Sequence, residues 1–194
     1  MNDVLSRVAP VQVRLATRDD EPDIMRLLHL MHAEGGMGAL DEGSAREIFN
    51  RAFDKKGGII GAIDADGKMC AMIYLLITRW WYTLDNHLEE LFNFVHPDYR
   101  HTNYAISLIE FAKKCSDDLS KTAGFQITLV IGVLTSNRMA AKVRLYRRLL
   151  GYPSGAVFVH NAKWMADCAP AGEDFWHEPF GRSRPGKRVK KQTA

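Results

Sequence analysis

The sequence predicts an α/β fold in which a mixed, mostly antiparallel central sheet is flanked by helices. Three observations point there. Segments with apolar residues at every second position alternate with segments of helical period, two strand-like segments close around a tight turn mid-chain, and no internal repeat is visible. This order favours a helix-covered sheet over a sandwich or a bundle.

Val11 to Leu15 alternates apolar and polar residues, as a strand with one buried face does. Asp19 or Asp20 then caps a helix to about Ala33, with Pro22 in its first turn and Ile24, Leu27, Leu28 and Met31 as the inward stripe. Gly35 and Gly36 end it, and a second helix covers Ser44 to Phe53. Ile59–Ile63 and Met69–Thr78 read as a hairpin around Asp64–Gly67, followed by a strand over Leu88–Val95 that stops at Pro97. A helix from about Asn103 to Leu119 turns Ala105, Leu108, Ile109, Ala112 and Cys115 inward. Phe125–Leu134 reads as a central strand buried on both sides. Asn137–Leu150 reads as a helix with Met139, Val143, Tyr146 and Leu150 on one face, and Ala156–His160 as a last strand.

At 194 residues and 46% hydrophobic, the chain has enough apolar surface for one substantial core. The expected division is a folded domain over 1–162, an extension over 163–180 with Trp164, Phe175 and Trp176 available to pack back, and a mobile basic tail over 181–194. That tail holds Arg182, Arg184, Lys187, Arg188, Lys190 and Lys191 without an acid, so the net charge of +3 hides a slightly acidic body. The tail reads as a solubilising terminus, and no zinc finger, helix-turn-helix or RNP-type motif supports specific nucleic-acid binding. No apolar run is long enough to span a membrane, and no secretory signal opens the chain, so a cytoplasmic location is expected. Cys70, Cys115 and Cys168 are too few and too scattered for a disulfide framework. His29 and His32 lack the H-E-x-x-H context of a zinc site, and no metal is expected.

The sharpest local feature runs from Phe94 to Ala105, where a strand feeds the start of an amphipathic helix. Amides in a helix's first turn lack intrahelical acceptors and the helix dipole favours negative charge, so such a start makes an anion cup to which Arg100 adds a cation. An ordinary helix start with Arg100 in water explains the same residues. Neither a G-x-x-x-x-G-K-S/T phosphate loop nor a G-x-G-x-x-G dinucleotide fingerprint is present.

Residues 100–105 resemble the acetyl-coenzyme A signature of the GCN5-related N-acetyltransferase (GNAT) family, Q/R-x-x-G-x-G/A, with Arg100 first, Ala105 last and Asn103 in place of the central glycine. Asparagine tolerates left-handed backbone, which would preserve the turn. Asn137 to Tyr152 is similar to that family's later helix, N-x-x-A-x-x-L-Y-x-x-x-G-F/Y, through Asn137, Leu145, Tyr146, Gly151 and Tyr152. Tyr146 stands nine residues after Asn137 and five before Gly151, where the pattern has seven and four. The order of elements over 11–160 agrees as well.

The resemblance implies direct transfer of an acetyl group from acetyl-CoA to an amine, with no protein nucleophile. It implies that Arg100, His101, Thr102, Asn103, Tyr104 and Ala105 cradle the cofactor pyrophosphate, that Val95 lies near a pantetheine-binding bulge, and that Asn137 belongs to the cofactor site. Tyr146 would protonate the coenzyme sulfur; its ring also fits as packing beside Val143 and Leu150. Simple alternation puts Glu89 with Leu91, Asn93 and Val95, making it the expected general base rather than Glu90. Lys142 is a further phosphate candidate, and His96 and His101 flank the loop. Trp80, Trp81 and Tyr82 read as an acceptor pocket, a homodimer contact or a core edge. The acceptor is expected to be a small-molecule or peptide amine. The alternative is a noncatalytic module of the same fold that has weakened or lost cofactor binding.

Overall fold

An unbroken apolar run from Met69 to Ile77 gives its strand two apolar faces, and both faces of the sheet are under helical cover. The computed structural model describes residues 11–36, 38–133 and 138–153. Its elements are β1 (Arg14–Leu15), α1 (Glu21–Gly35), α2 (Glu42–Phe53), β2 (Gly58–Ala65), β3 (Lys68–Arg79), β4 (Asn86–Val95), α3 (Tyr104–Ala123), β5 (Thr128–Ile131) and α4 (Met139–Leu150). The expected strand at Ala156–His160, the extension over 163–180 and the tail over 181–194 lie outside the described residues. None of the described helices is long and apolar enough to cross a membrane.

Strand order follows chain order, β1-β2-β3-β4-β5; every pair is antiparallel except β4 with β5, which run parallel. The sheet is therefore mixed and mostly antiparallel, as the hairpin pattern predicts. On one face, Met72, Tyr74 and Phe94 pack against Ile24, Leu27 and Leu28 of α1 and Phe49 of α2. On the other, Ile73, Leu75 and Leu88 pack against Leu108, Ile109 and Ala112 of α3 and Tyr146 of α4.

Polar caps fix how the helices enter. Asp20 accepts the Thr17 amide at 2.7 Å and the Arg14 guanidinium at 2.8 Å, and these donors hold its carboxyl below the usual range. Arg14 also reaches Asp64, which joins β1 to the end of β2. Asp41 caps α2 through the Ser44 amide at 2.7 Å.

Two expectations change. The strand expected over Phe125–Leu134 is shorter and less buried: among the described residues β5 spans Thr128–Ile131, is half-buried, and has β4 as its neighbour. Its approach is held by side chains instead, with Ser116 Oγ donating to the Ile127 carbonyl and Ser120 Oγ accepting the Ile127 amide. On α4 the inward residues are Leu145, Tyr146 and Leu149, while Leu150 is 42% exposed, because the helix has rotated from the Met139–Val143–Leu150 stripe.

Gly58 begins β2 directly beneath α2. A Cβ there would stand 2.6 Å from the Ala52 backbone nitrogen and 2.7 Å from the Tyr74 hydroxyl, and backbone cannot yield. Gly58→Ala is therefore expected to lower stability by about 1–3 kcal/mol, read from the urea midpoint at constant m-value.

Candidate functional site

The site is built where β4 breaks its ladder. Leu75 pairs with Glu90 and Tyr74 with Phe92, so Leu91 faces no partner and forms a β-bulge. An extra residue reverses which side chains share a face. Below the bulge Leu88 and Glu90, opposite Ile77 and Leu75, face α3 and α4; above it Asn93 and Val95, opposite Ile73 and Ala71, do the same. Glu89 pairs with Leu76 and belongs to the α1–α2 face, with Phe92 and Phe94. The expectation that grouped Glu89 with Asn93 and Val95 is thereby corrected: alternation is broken at Leu91, and Glu90 takes that place.

β5 pairs with β4 over Thr128–Ile131 opposite His87–Glu90. Pairing ends at the bulge, so among the described residues Leu91–Val95 has no strand partner on that side, and this unpaired edge is the gap. Glu90 lies at its base, 8% exposed. The Gly132 amide and the Asn93 side chain hydrogen-bond its carboxyl and Lys142 attracts it, but burial outweighs them and pushes its pKa up to about 7. Lys142 is lowered, chiefly by burial, and its Nζ donates to the Asn93 carbonyl at 3.3 Å. Asn93 Nδ2 donates to Tyr146 Oη at 2.5 Å, joining β4 to α4 across the gap. Burial, then the charge of Glu90, raises the Tyr146 phenol well above its ordinary value and keeps it protonated. Lys142 and Tyr146 reach the same gap because they are one turn apart on α4.

The turn after β4 is anchored on two sides. Tyr99 Oη donates to Asp66 at 2.7 Å, and that bond pushes the phenol up to about 12. Arg100 Nη2 meets both carboxylate oxygens of Glu34 at 2.7 and 2.5 Å, its Nε donates to the Val95 carbonyl at 3.0 Å, and its guanidinium lies over Phe94. The Val95 side chain is buried in the α3–α4 core, and the bulge expected near it lies four residues earlier, at Leu91. His101 is exposed. Thr102 Oγ1 donates to the Tyr99 carbonyl at 2.6 Å and accepts the Tyr104 amide at 3.3 Å. Asn103 precedes α3 with φ −88°, so the left-handed turn expected of it is not adopted. The first amide bonded back within the helix is that of Ser107, to the Asn103 carbonyl, and Thr102 takes the Tyr104 amide, which leaves the amides of residues 105 and 106 at the helix mouth. Tyr104 stacks on Tyr99, and Ala105 packs against the core. Asn137 lies outside the described residues.

His29 bonds to Glu42 and His32 to the Gly38 carbonyl, so these two rings serve separate local contacts. His96 Nδ1 accepts the Asp98 amide at 3.3 Å. Trp80 stacks on the buried ring of His87 at 4.3 Å, and Trp81 is 93% exposed. They border an open cleft of about 610 Å³ with Arg51 and Arg79, at the opposite end of β4 from Asn93. The aromatic cluster and the gap are thus separate places.

No protein-family model and no curated protein matches the chain. Solved structures do. An integron cassette protein from the mobile metagenome of Cole Harbour Salt Marsh superposes with TM-score 0.62 at 20% identity, covering 83% of this chain and 96% of that one. A GNAT family acetyltransferase of Staphylococcus aureus superposes with TM-score 0.53 at 12% identity, over 77% and 96% of the two chains. The chain has the GNAT fold. An aminoglycoside antibiotic 6'-N-acetyltransferase from Acinetobacter haemolyticus shares that fold too, with TM-score 0.58, 15% identity and coverage of 79% and 98%. The sequence singles out Tyr146 and the 100–105 turn and ranks Glu90 behind Glu89, while it gives no role to Asn93 or Glu34, which the structure joins to Tyr146 and Arg100. The one available signal was the pair Glu89–Glu90, and alternation alone chose the wrong member for the face.

Glu90 makes stability depend on pH with a defined sign. Its folded value, about 7, exceeds the ordinary 4.5, so between these values the folded chain binds more protons and stability falls as pH rises. Urea unfolding at pH 5 and pH 8 should show a loss of roughly 1–3 kcal/mol in the parent, and Glu90→Gln should remove most of that slope.

Proposed function

We propose that the protein is an acetyl-CoA-dependent N-acetyltransferase that passes the acetyl group directly to the amine of a small-molecule or peptide acceptor. The observation that carries this reading is the Asn93–Tyr146 hydrogen bond that joins β4 to α4, with the Asn93 side chain also bonded to the buried carboxyl of Glu90. The donor set fits the cofactor: amides at the mouth of α3 suit a diphosphate, and the unpaired edge beside Leu91 offers peptide groups to an amide-containing arm. Acetyl-CoA supplies an activated acetyl group on a thioester sulfur.

The chain's own groups supply proton handling. Asn93 is the donor in its bond to Tyr146, so the phenol hydrogen remains available to an acceptor in the gap. A raised phenol pKa keeps that hydrogen in place at neutral pH, ready for a departing sulfur. Glu90, pushed up to about 7, is poised to take a proton from the incoming amine directly or through water. The role first expected of Glu89 passes to Glu90, because Glu89 faces α1 and α2. The aminoglycoside acetyltransferase of the same fold supports testing polyamine acceptors first.

Tyr146→Phe should lower kcat by about 100-fold while leaving the acetyl-CoA Kd within a factor of about 2, measured by coupled thiol release and calorimetry. In the parent, kcat/KM should fall below pH 7 as Glu90 takes up a proton, and Glu90→Gln should abolish that limb.

A noncatalytic module is the second reading, and a specific observation favours it. Arg100 is engaged by Glu34, and Asn103 does not make the left-handed turn. Absence of calorimetric heat at submillimolar acetyl-CoA would support that reading over the transferase.

A further inference from the structure

Arg100 makes three contacts on two elements, α1 and β4. Its Nη2 lies within 2.7 Å of both oxygens of Glu34 in the last turn of α1, its Nε donates to the final carbonyl of β4, and Phe94 lies beneath its plane. The side chains of this ion pair are 22% and 33% exposed, so the charges are partly withdrawn from solvent screening. The turn's other side-chain tie, Tyr99 to Asp66, is exposed and lies at the β2–β3 turn. From these two adjacent ties the chain runs through residues 101–103 to the helix mouth, where the amides of residues 105 and 106 lie. A guanidinium held by a carboxylate in a fixed fork is restrained in direction as well as position, which a lysine at the same place would not be.

The same pair reaches the gap electrostatically. Lys142, which donates to the Asn93 carbonyl, is raised by Glu34 and lowered by Arg100. Removing either member would therefore change the field at the residue that caps the edge of β4.

We infer that Glu34 is a positioning residue for the cofactor: through Arg100 it holds the 96–103 turn against the end of β4, so that the α3 amides face the gap. This rests on the transferase reading, since Glu34 itself touches neither cofactor nor acceptor. Its action is exerted on binding, not on the proton steps of Tyr146 and Glu90. Arg100 accordingly works as a strut and does not itself grip phosphate as the sequence resemblance implies.

Two measurements on the full chain separate the inference from the reading beneath it. Without ligand, hydrogen exchange at amides 96–103 should speed about tenfold or more in Glu34→Ala, while the interior of α3 keeps its protection. With acetyl-CoA, Glu34→Ala should raise Kd and KM about tenfold and leave kcat within about twofold, and the exchanged pair Glu34→Arg with Arg100→Glu should recover most of the affinity. Unchanged exchange in the turn would overturn the inference whatever the cofactor does. So would a parent that binds acetyl-CoA and a folded Glu34→Ala variant that binds it equally well, or an exchanged pair no better than the single variant. Faster exchange in a chain that never binds acetyl-CoA would uphold the strut and defeat the transferase reading alone.

Discussion

Leu91 has no partner on β3, and the arrangement of the gap follows from that unpaired residue. The bulge brings Glu90 onto the face of Asn93 and Val95, and the pairing of β4 with β5 stops beside it, which leaves the upper half of β4 without a strand partner on that side among the described residues. With unbroken alternation Glu89, not Glu90, would share the face of Asn93 and Val95, and Glu90 would join Phe92 and Phe94 on the other. Strand bulges re-aim side chains in this way at sites of chemistry.

Burial then sets the character of the groups at the gap. Glu90 and Lys142 are both displaced toward their neutral forms, and the Tyr146 phenol is held protonated. The three belong to one network because Asn93 uses its side-chain amide on Tyr146 and its backbone carbonyl on Lys142. A cluster of this kind destabilises the resting fold relative to an apolar one of the same volume, the sort of local penalty expected where a protein does chemistry.

Much of the fold was legible in the sequence because strong local signals agreed with tertiary packing. Ile24, Leu27 and Leu28 keep helical period, Gly36 stops α1, and the Asp66–Gly67 turn makes the β2–β3 hairpin. Tyr146 was legible as an inward residue of α4, although its neighbours on that face were not. What could not be read were features that depend on distant parts of the chain. A bulge leaves no mark on apolar periodicity, so Glu90 and Glu89 were interchangeable until β3 fixed their register. The partnership of Arg100 with Glu34 spans 66 residues, and nothing local announces it. The partial burial of β5 was hidden because an apolar run of this kind does not by itself tell how much of the strand is covered.

The most direct measurement is a crystal structure of the full chain soaked or grown with millimolar acetyl-CoA. The diphosphate is expected at the amides of residues 105 and 106, and the thioester within hydrogen-bond reach of Tyr146 Oη beside the unpaired half of β4. Coenzyme bound elsewhere, or β4 and β5 closed together with Leu91 paired, would contradict it.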